Sequence, residues 1–451
     1  MRRIVLPGYR RFTGMEWRAR RRFTPLGKIL MTGLLLAAVF GVDTNQTYVY
    51  RFFSLLLAMI LVAGVWSLFF RRTFRMHRSL PRFCTAGEPF DYTLRITNPG
   101  EAIRNRVTVL DELEDPRPDF ATFMRTREPG EAQRNLFDRM MRFHRYQWLI
   151  RRNAGLEPVE RTLDGIPANT TIRQVITAKP LRRGRIRFSK ITLAKPDPFG
   201  LYRALISQPA PETLLVLPRR YALPPNLRLD GGRRYHSGGV SMASMVGDAE
   251  EFVSLREYRE GDPPKRLHWP SWAKTGKPVV KEYQEEYFVR QALILDTLFQ
   301  GNPLVFEEAV AVAASFAISV ESGDSLLDLL FVGPGEHRYT YGRGVAHAEQ
   351  MLELLAEVQP TAEHEFDDLE GLVSRHLTTM SGCIFVMMGW DRKRRELVEK
   401  VRVHGIPATV FVVLSESVDS DALPEPGPMA DRPDRFRVLH PGRVEEGLLG
   451  L

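Results

Sequence analysis

The sequence predicts an α+β multidomain protein: an N-terminal two-helix transmembrane hairpin, a β-sandwich with a helical insertion, and a C-terminal doubly wound α/β domain. Three observations predict it. Two charge-free apolar runs lie within the first 72 residues, and short alternating stretches punctuated by Gly, Pro and Asn fill 73–220. From 249 onward, near-continuous apolar runs alternate with helical patterns. A chain of 451 residues is also too long for one ordinary soluble domain. The ranges expected are 1–72 for the basic N-terminus and hairpin, 73–220 for the sandwich, 221–248 for a linker and 249–451 for the α/β domain.

The first apolar run is Ile29–Val42, extended across Lys28 by Leu26 and Gly27; the second is Phe52–Phe70. The second is long enough to cross roughly 30 Å of hydrocarbon as a helix. The first reaches that length only if Lys28 snorkels. A polar turn from Asp43 to Thr47 joins them. Arginines crowd the outer flanks, Arg18–Arg22 before and Arg71, Arg72, Arg75 and Arg78 after, while the joining loop has only Arg51 at its edge. The positive-inside rule then puts both termini and the soluble domains in the cytoplasm. A cleaved signal peptide is the alternative for the first run, although 28 residues ahead of its apolar core is long for one.

The net charge of +9 invites a nucleic-acid reading until it is located. Nine basic residues against Glu16 alone stand in the first 28 positions, so the rest of the chain is close to neutral and no nucleic acid is expected as partner. Cys84 and Cys383 fall in different predicted domains. Two such residues make neither a disulfide framework nor a zinc site, and both read as packed, reduced thiols.

Strands are expected at Phe90–Thr97, Val107–Leu110, Thr171–Thr177, Arg185–Leu193, Leu201–Ile206 and Leu214–Leu217. Such spacing suggests a sandwich. Within it, Glu131–Arg152 places Leu136, Met140, Phe143, Trp148 and Leu149 near helical spacing, an amphipathic insertion with many arginines. Further on, strands Val289–Leu295, Leu326–Val332, Cys383–Met388 and Ala408–Leu414 alternate with helices Phe306–Val320, Val345–Val358, Phe366–Leu377 and Arg392–His404, with a small edge strand at Tyr339–Tyr341. That texture implies a parallel sheet covered on both faces.

Ligands of such sheets bind at the carboxyl ends of strands. Asp296 stands at one such end and Asp391 just past another. Two carboxylates there could hold a divalent cation such as Mg²⁺. The arrangement resembles the von Willebrand factor A fold, whose metal site uses Asp-x-Ser-x-Ser after the first strand. Here the segment is Asp296-Thr297-Leu298-Phe299-Gln300, with both serines replaced, and the Gly342–Gly344 loop offers no Thr ligand. Asp296 as the cap of a strand-to-helix turn is the preferred reading, with no cofactor.

The block Glu250–Tyr287 is dense in special residues: Arg256, Tyr258, Gly261, Asp262, Arg266, His268 and Trp269. His268 could serve as a general base oriented by Asp262 or Glu251. No Ser or Cys nucleophile in an elbow, phosphate loop or His-Glu-x-x-His helix accompanies it. The block is therefore expected to be a polar network pinning a loop, with Trp269 and Trp272 in apolar pockets. A partner surface is the second expectation, since Trp, Tyr and Arg dominate interface hot spots.

The segment from Ser254 to Trp269, followed by Ala273-Lys274, resembles the signature of the bacterial domain-of-unknown-function 58 family. Arg182-Arg183-Gly184-Arg185 leading to Asp197-Pro198-Phe199-Gly200-Leu201, together with the N-terminal hairpin, adds to the resemblance. Pro270 and Trp272 depart from the family's usual residues. The resemblance implies a cytoplasmic-membrane, multi-pass protein with a von Willebrand factor A-like domain and a MoxR-type AAA+ ATPase as partner. It implies no catalytic activity. The function expected is thus a non-enzymatic, membrane-anchored adaptor held in lipid by its hairpin. The alternative is a divalent-metal-binding adhesion-type module or metal-dependent hydrolase using Asp296 and Asp391.

Overall fold

The computed structural model describes residues 2–40, 47–68, 74–100, 104–223, 236–237, 250–262, 264–285, 287–319, 325–333, 335–341, 345–361, 364–415 and 424–449. It divides into two units, Met1–Leu217 and Pro218–Leu451. The expected turn between the apolar runs, Arg71 and Arg72, most of the linker and the Gly342–Gly344 loop lie outside the described residues.

The first unit opens with α1 (Arg2–Arg22), α2 (Pro25–Phe40) and α3 (Thr47–Leu68). Among the described residues one helix is long and apolar enough to cross a membrane, Tyr50–Ser67, with mean hydropathy 1.7; Pro25–Val39 is a shorter apolar helix. These two helices pack on each other. The arginine-rich start is a folded helix rather than a loose flank: Leu6 of α1 joins Phe123, Tyr146 and Leu149 in a small core. At its other end Arg21 pairs with the buried Glu112 at 2.5 Å.

Eight strands follow: β1 (Arg75–Ser79), β2 (Phe83–Thr85), β3 (Phe90–Asn98), β4 (Arg104–Leu113), β5 (Val159–Ile166), β6 (Thr170–Ala178), β7 (Gly184–Pro196) and β8 (Arg203–Leu217). They form a three-stranded sheet, β1-β3-β6, and a five-stranded sheet, β2-β8-β7-β4-β5. Alternate residues of both sheets, Tyr92, Leu94 and Ile96 on β3 and Ile186, Phe188, Ile191 and Leu193 on β7 among them, share one apolar core. Arg78, expected among the arginines flanking the membrane, is 1% exposed. Its guanidinium donates to Asp111 Oδ2 at 2.9 Å and to the Ala210 carbonyl at 2.8 Å, and Tyr92 Oη donates to the same carboxylate at 2.8 Å. A buried charge is tolerable only when satisfied in this way.

The helical insertion is real but broken into α4 (Phe120–Arg125), α5 (Leu136–Met141) and α6 (Phe143–Asn153). Asn135 caps α5, and Arg142, at φ 56°, ends it in the left-handed region. One continuous apolar stripe is therefore impossible: Leu149 is buried, whereas Leu136 and Met140 are exposed.

In the second unit, β9 (His236–Ser237) pairs antiparallel with β12 (Tyr287–Leu295), while β10 (Glu250–Glu257) and β11 (Val279–Glu285) form a separate antiparallel ribbon. Residue 221, expected in the linker, belongs to this unit: Tyr221 N–H donates to Ser315 Oγ at 2.7 Å. The main sheet adds β13 (Ser325–Val332), β14 (Glu336–Tyr341), β15 (Gly382–Met387), β16 (Ala408–Val413) and β17 (Phe436–Leu439), in the order β14-β13-β12-β15-β16-β17. All these pairings are parallel except that of β14 with β13. Leading the helices, α7 (Trp269–Thr275) tips the ribbon. The sheet is flanked by α8 (Pro303–Ser319), α9 (Val345–Glu357), α10 (Phe366–Ser374) and α11 (Arg392–Val403), and α12 (Val444–Leu449) closes the chain. The Ala- and Val-rich α8 is buried along nearly its whole length, with Phe316 on Phe411 at 4.9 Å. On another face, α10 and α11 set Leu369, Leu372, Leu397 and Val401 against β12, β15 and β16. Cys84 and Cys383 are free, buried thiols.

Candidate functional site

From β12 the chain continues to β13 on one side and later to β15 on the other, so the crevice where a doubly wound sheet takes a ligand opens between the carboxyl ends of β12 and β15. Asp296 follows β12, its N–H donating to the Val386 carbonyl at 2.9 Å, and it is fully buried. Asp391 follows β15 as the N-cap of α11, accepting from Arg394 N–H at 3.0 Å. The two carboxylates do converge, and what they converge on is an arginine. Arg394 Nε donates to Asp296 Oδ2 at 2.8 Å, Nη2 stands 2.7 Å from the same oxygen, and Nη1 donates to Asp391 Oδ2 at 2.5 Å. Phe366 backs the guanidinium at 5.0 Å. Asp296 Oδ1 accepts Leu298 N–H at 3.0 Å.

All four carboxylate oxygens are thus engaged by Arg394 or by backbone. Burial pushes the Asp296 carboxyl above its ordinary range, against the opposing pull of Arg394. A hard divalent cation wants six or more oxygens, and it would first have to displace the guanidinium. Leu298, where a ligand serine would stand, packs against the apolar core instead. No group of three His, Cys, Asp or Glu able to hold a metal occurs among the described residues. As donor set and space stand, the pair does not fit a metal. Sequence reasoning missed Arg394. The available signal was a basic residue in the first turn of a helix capped by Asp391, where the helix dipole disfavours positive charge unless a carboxylate answers it.

The signature block builds the β10–β11 ribbon and its tip. Arg256 clamps both oxygens of Asp262 at 2.7 Å, and Arg259 N–H donates to Asp262 at 2.8 Å. These hydrogen bonds hold the Asp262 carboxyl down to about 2. Gly261, at φ 106°, supplies the turn that brings Asp262 back to Arg256. Among the described residues no hydrogen bond joins Asp262 to His268, the pairing a general base would need; the Asp262 oxygens accept from Arg256 and from Arg259 N–H instead. His268 N–H donates to the Val279 carbonyl at 2.8 Å, and its Nδ1 lies 2.8 Å from Ser271 Oγ within the same turn. The side chain of Glu251 lies outside what the structure describes. Arg266 is half-buried beside them.

The polar network pins this loop to itself. The tryptophans, expected in apolar pockets, stack on each other at 5.2 Å and 17°, and Trp269 is 63% exposed. Tyr258 and Leu255 are exposed nearby in the ribbon. The arrangement offers an aromatic contact surface on a preorganised support.

Residues 254–430 match the profile of the family described as "Protein of unknown function DUF58". The uncharacterized protein YeaD of Bacillus subtilis (strain 168) is 27% identical over 178 residues, which span 39% of this chain and 42% of that protein, less than half its length. A late embryogenesis abundant protein of known solution structure aligns with 36% of this chain and 84% of its own at 11% identity and a TM-score of 0.17.

Proposed function

We propose, from the premise that residues 254–430 belong to the DUF58 family, that this is a membrane-anchored, non-enzymatic interaction protein. In this reading α2 and α3 form a two-span hairpin in the cytoplasmic membrane. The arginine-rich flanks hold both termini and both soluble units on the cytoplasmic side. Tyr50–Ser67 covers about 27 Å as a helix, close to the hydrocarbon thickness. The α/β unit is A-like, with its ligand crevice filled by Arg394, and its partner is a MoxR-type AAA+ ATPase.

The observation that carries the reading is Trp269, held 63% exposed in a hairpin connection braced by the Arg256–Asp262 pair. A large indole left in water on a rigid support is what a buried interface anchor requires. The Arg394 plug supports a role in contact rather than in metal chemistry. Pull-down from detergent extracts with the intact protein tests it. An AAA+ ATPase should co-purify, and Trp269→Ala should weaken its capture by about thirtyfold or more, the size of a hot-spot loss. Recovery of no such ATPase, or equal recovery with Trp269→Ala, would count against the proposal.

A further inference from the structure

The Asp197-Pro198-Phe199-Gly200-Leu201 segment belongs to the first unit, has no part in the α/β unit or its ribbon, and is held by a dense set of hydrogen bonds. Asp197 N–H donates to the Tyr202 carbonyl at 2.8 Å and Gly200 N–H to the Asp197 carbonyl at 3.0 Å. The buried Asp197 Oδ1 accepts Leu201 N–H at 2.6 Å and Tyr202 N–H at 2.9 Å. Gly200 sits at φ 69°, where a side chain would be strained.

The outer face of this turn holds the start of α2. Thr24 N–H donates to the Leu201 carbonyl at 3.2 Å, Thr24 Oγ1 donates to the Gly200 carbonyl, and Gly27 N–H returns to Thr24 Oγ1 at 3.0 Å. A Cβ on Gly27 would overlap the Leu201 carbonyl oxygen, so only glycine lets the helix approach this closely. Phe23 meets Tyr202 edge to face at 5.3 Å. Two residues up the helix, Ile29 is 68% exposed and begins the apolar run; that rise is only about 3 Å. The turn therefore stands at the level where α2 becomes apolar on its outside. Phe199, one residue from the grip, is 47% exposed there, with Pro198 also exposed.

We propose that the Asp197–Tyr202 turn is the membrane seat of the β-rich unit, gripping the first turn of α2 and laying Pro198 and Phe199 into the headgroup boundary of the bilayer. This rests on the anchored reading above. The occupant is lipid because the turn is continuous with a helix that, beyond the exposed Lys28 and apart from Thr32, shows apolar side chains on its outside, Ile29, Leu35, Leu36 and Val39 among them. An aromatic ring at that depth exchanges water for the acyl boundary while its backbone stays hydrogen-bonded in the turn.

The test uses the full-length protein in nanodiscs of phosphatidylcholine and phosphatidylglycerol. An environment-sensitive fluorophore is placed on Phe199→Cys, Leu61→Cys in α3 or Val403→Cys in α11. The unsubstituted protein, with its buried Cys84 and Cys383, gives the labelling background. The Phe199 probe should emit blue-shifted, be quenched by a shallow nitroxide lipid and resist aqueous iodide. The Leu61 probe should respond to a deep nitroxide lipid, and the Val403 probe to iodide. In a Gly27→Leu background the Phe199 probe should become iodide-sensitive; its remaining lipid-quenched would overturn the grip on α2. Iodide quenching at 199 with lipid quenching at 61 would overturn the seat and leave the anchor standing. Protection at 199 from both quenchers would mean a protein contact and overturn it too. Iodide quenching at 61 would instead defeat the anchored reading itself.

Discussion

Replacing Arg394 by glutamine should loosen the centre of the α/β sheet far more than the exposed position of Asp391 would suggest. The guanidinium bridges one fully buried carboxylate, Asp296, and one whose side chain is 57% exposed. Losing one partner of a buried pair costs about 3–5 kcal/mol, because the remaining charge stays desolvated. The exposed pair contributes about 0–1 kcal/mol. Asp391→Asn keeps the helix cap, so it should cost no more than that smaller amount. Hydrogen exchange of full-length protein in detergent reads this locally. Amides of Leu293–Leu295 and Phe385–Met387 should exchange roughly two to four powers of ten faster in Arg394→Gln, up to the limit set by unfolding of the whole unit. Burial already raises the Asp296 carboxyl in the folded state, and losing Arg394 raises it further. A folded value above the unfolded one means that stability is fullest at acid pH and falls as pH climbs through the folded value. The deficit of Arg394→Gln should therefore widen as pH rises above the ordinary carboxylate range. Mg²⁺ should leave the wild-type exchange rates unchanged. Equal, small effects of Arg394→Gln and Asp391→Asn would refute the reasoning. So would a Mg²⁺ protection that vanishes in Asp296→Ala.

Three further outcomes follow from other contacts. Arg78→Met should destabilise the sandwich by about 3–5 kcal/mol by stranding the buried Asp111, and Arg78→Met with Asp111→Leu should recover much of it, read from the melting temperature of each variant. The Asp262 carboxyl is depressed below its unfolded value near 3.9, so its contribution is complete above that value and is lost as pH falls toward about 2. The near-ultraviolet circular dichroism of the Trp269–Trp272 stack should follow that acid titration and should lose it in Asp262→Asn. Burial pushes the Cys84 thiol up to about 12 and raises Cys383 as well. Alkylation near neutral pH should therefore be slow at both in the folded protein and fast after denaturation; rapid native labelling would contradict their packing.

The layered order of the chain was legible in its residues because burial on two faces leaves a local mark. Cys383–Met388 and Ala408–Leu414 are apolar at nearly every position, and only strands covered on both sides can bury such runs. Alternation in Phe90–Thr97 announced a half-buried strand in the same way. Where the local mark was weak the reading fell short. The four-residue β17 hides among Arg, Asp and Pro, and the left-handed Arg142 splits what periodicity alone joins into one helix.

The sites show the sharper division. Local sequence determined which residue types gather at the strand ends and in the signature block. It could not say what each one meets. Arg394 reaches Asp296 across 98 positions, and no pattern within one helix records that the two carboxylates at the strand ends share a guanidinium. Arg78, read as one of the arginines at the membrane edge, lies in the sandwich core because Asp111 and the Ala210 carbonyl meet it there. Trp269 has the apolar bulk of a core residue, yet its ring stands 63% exposed and stacks on Trp272 rather than entering a core. Patterning records how much water a residue avoids, whereas a charge's partner and a ring's exposure depend on which distant segment folds against it.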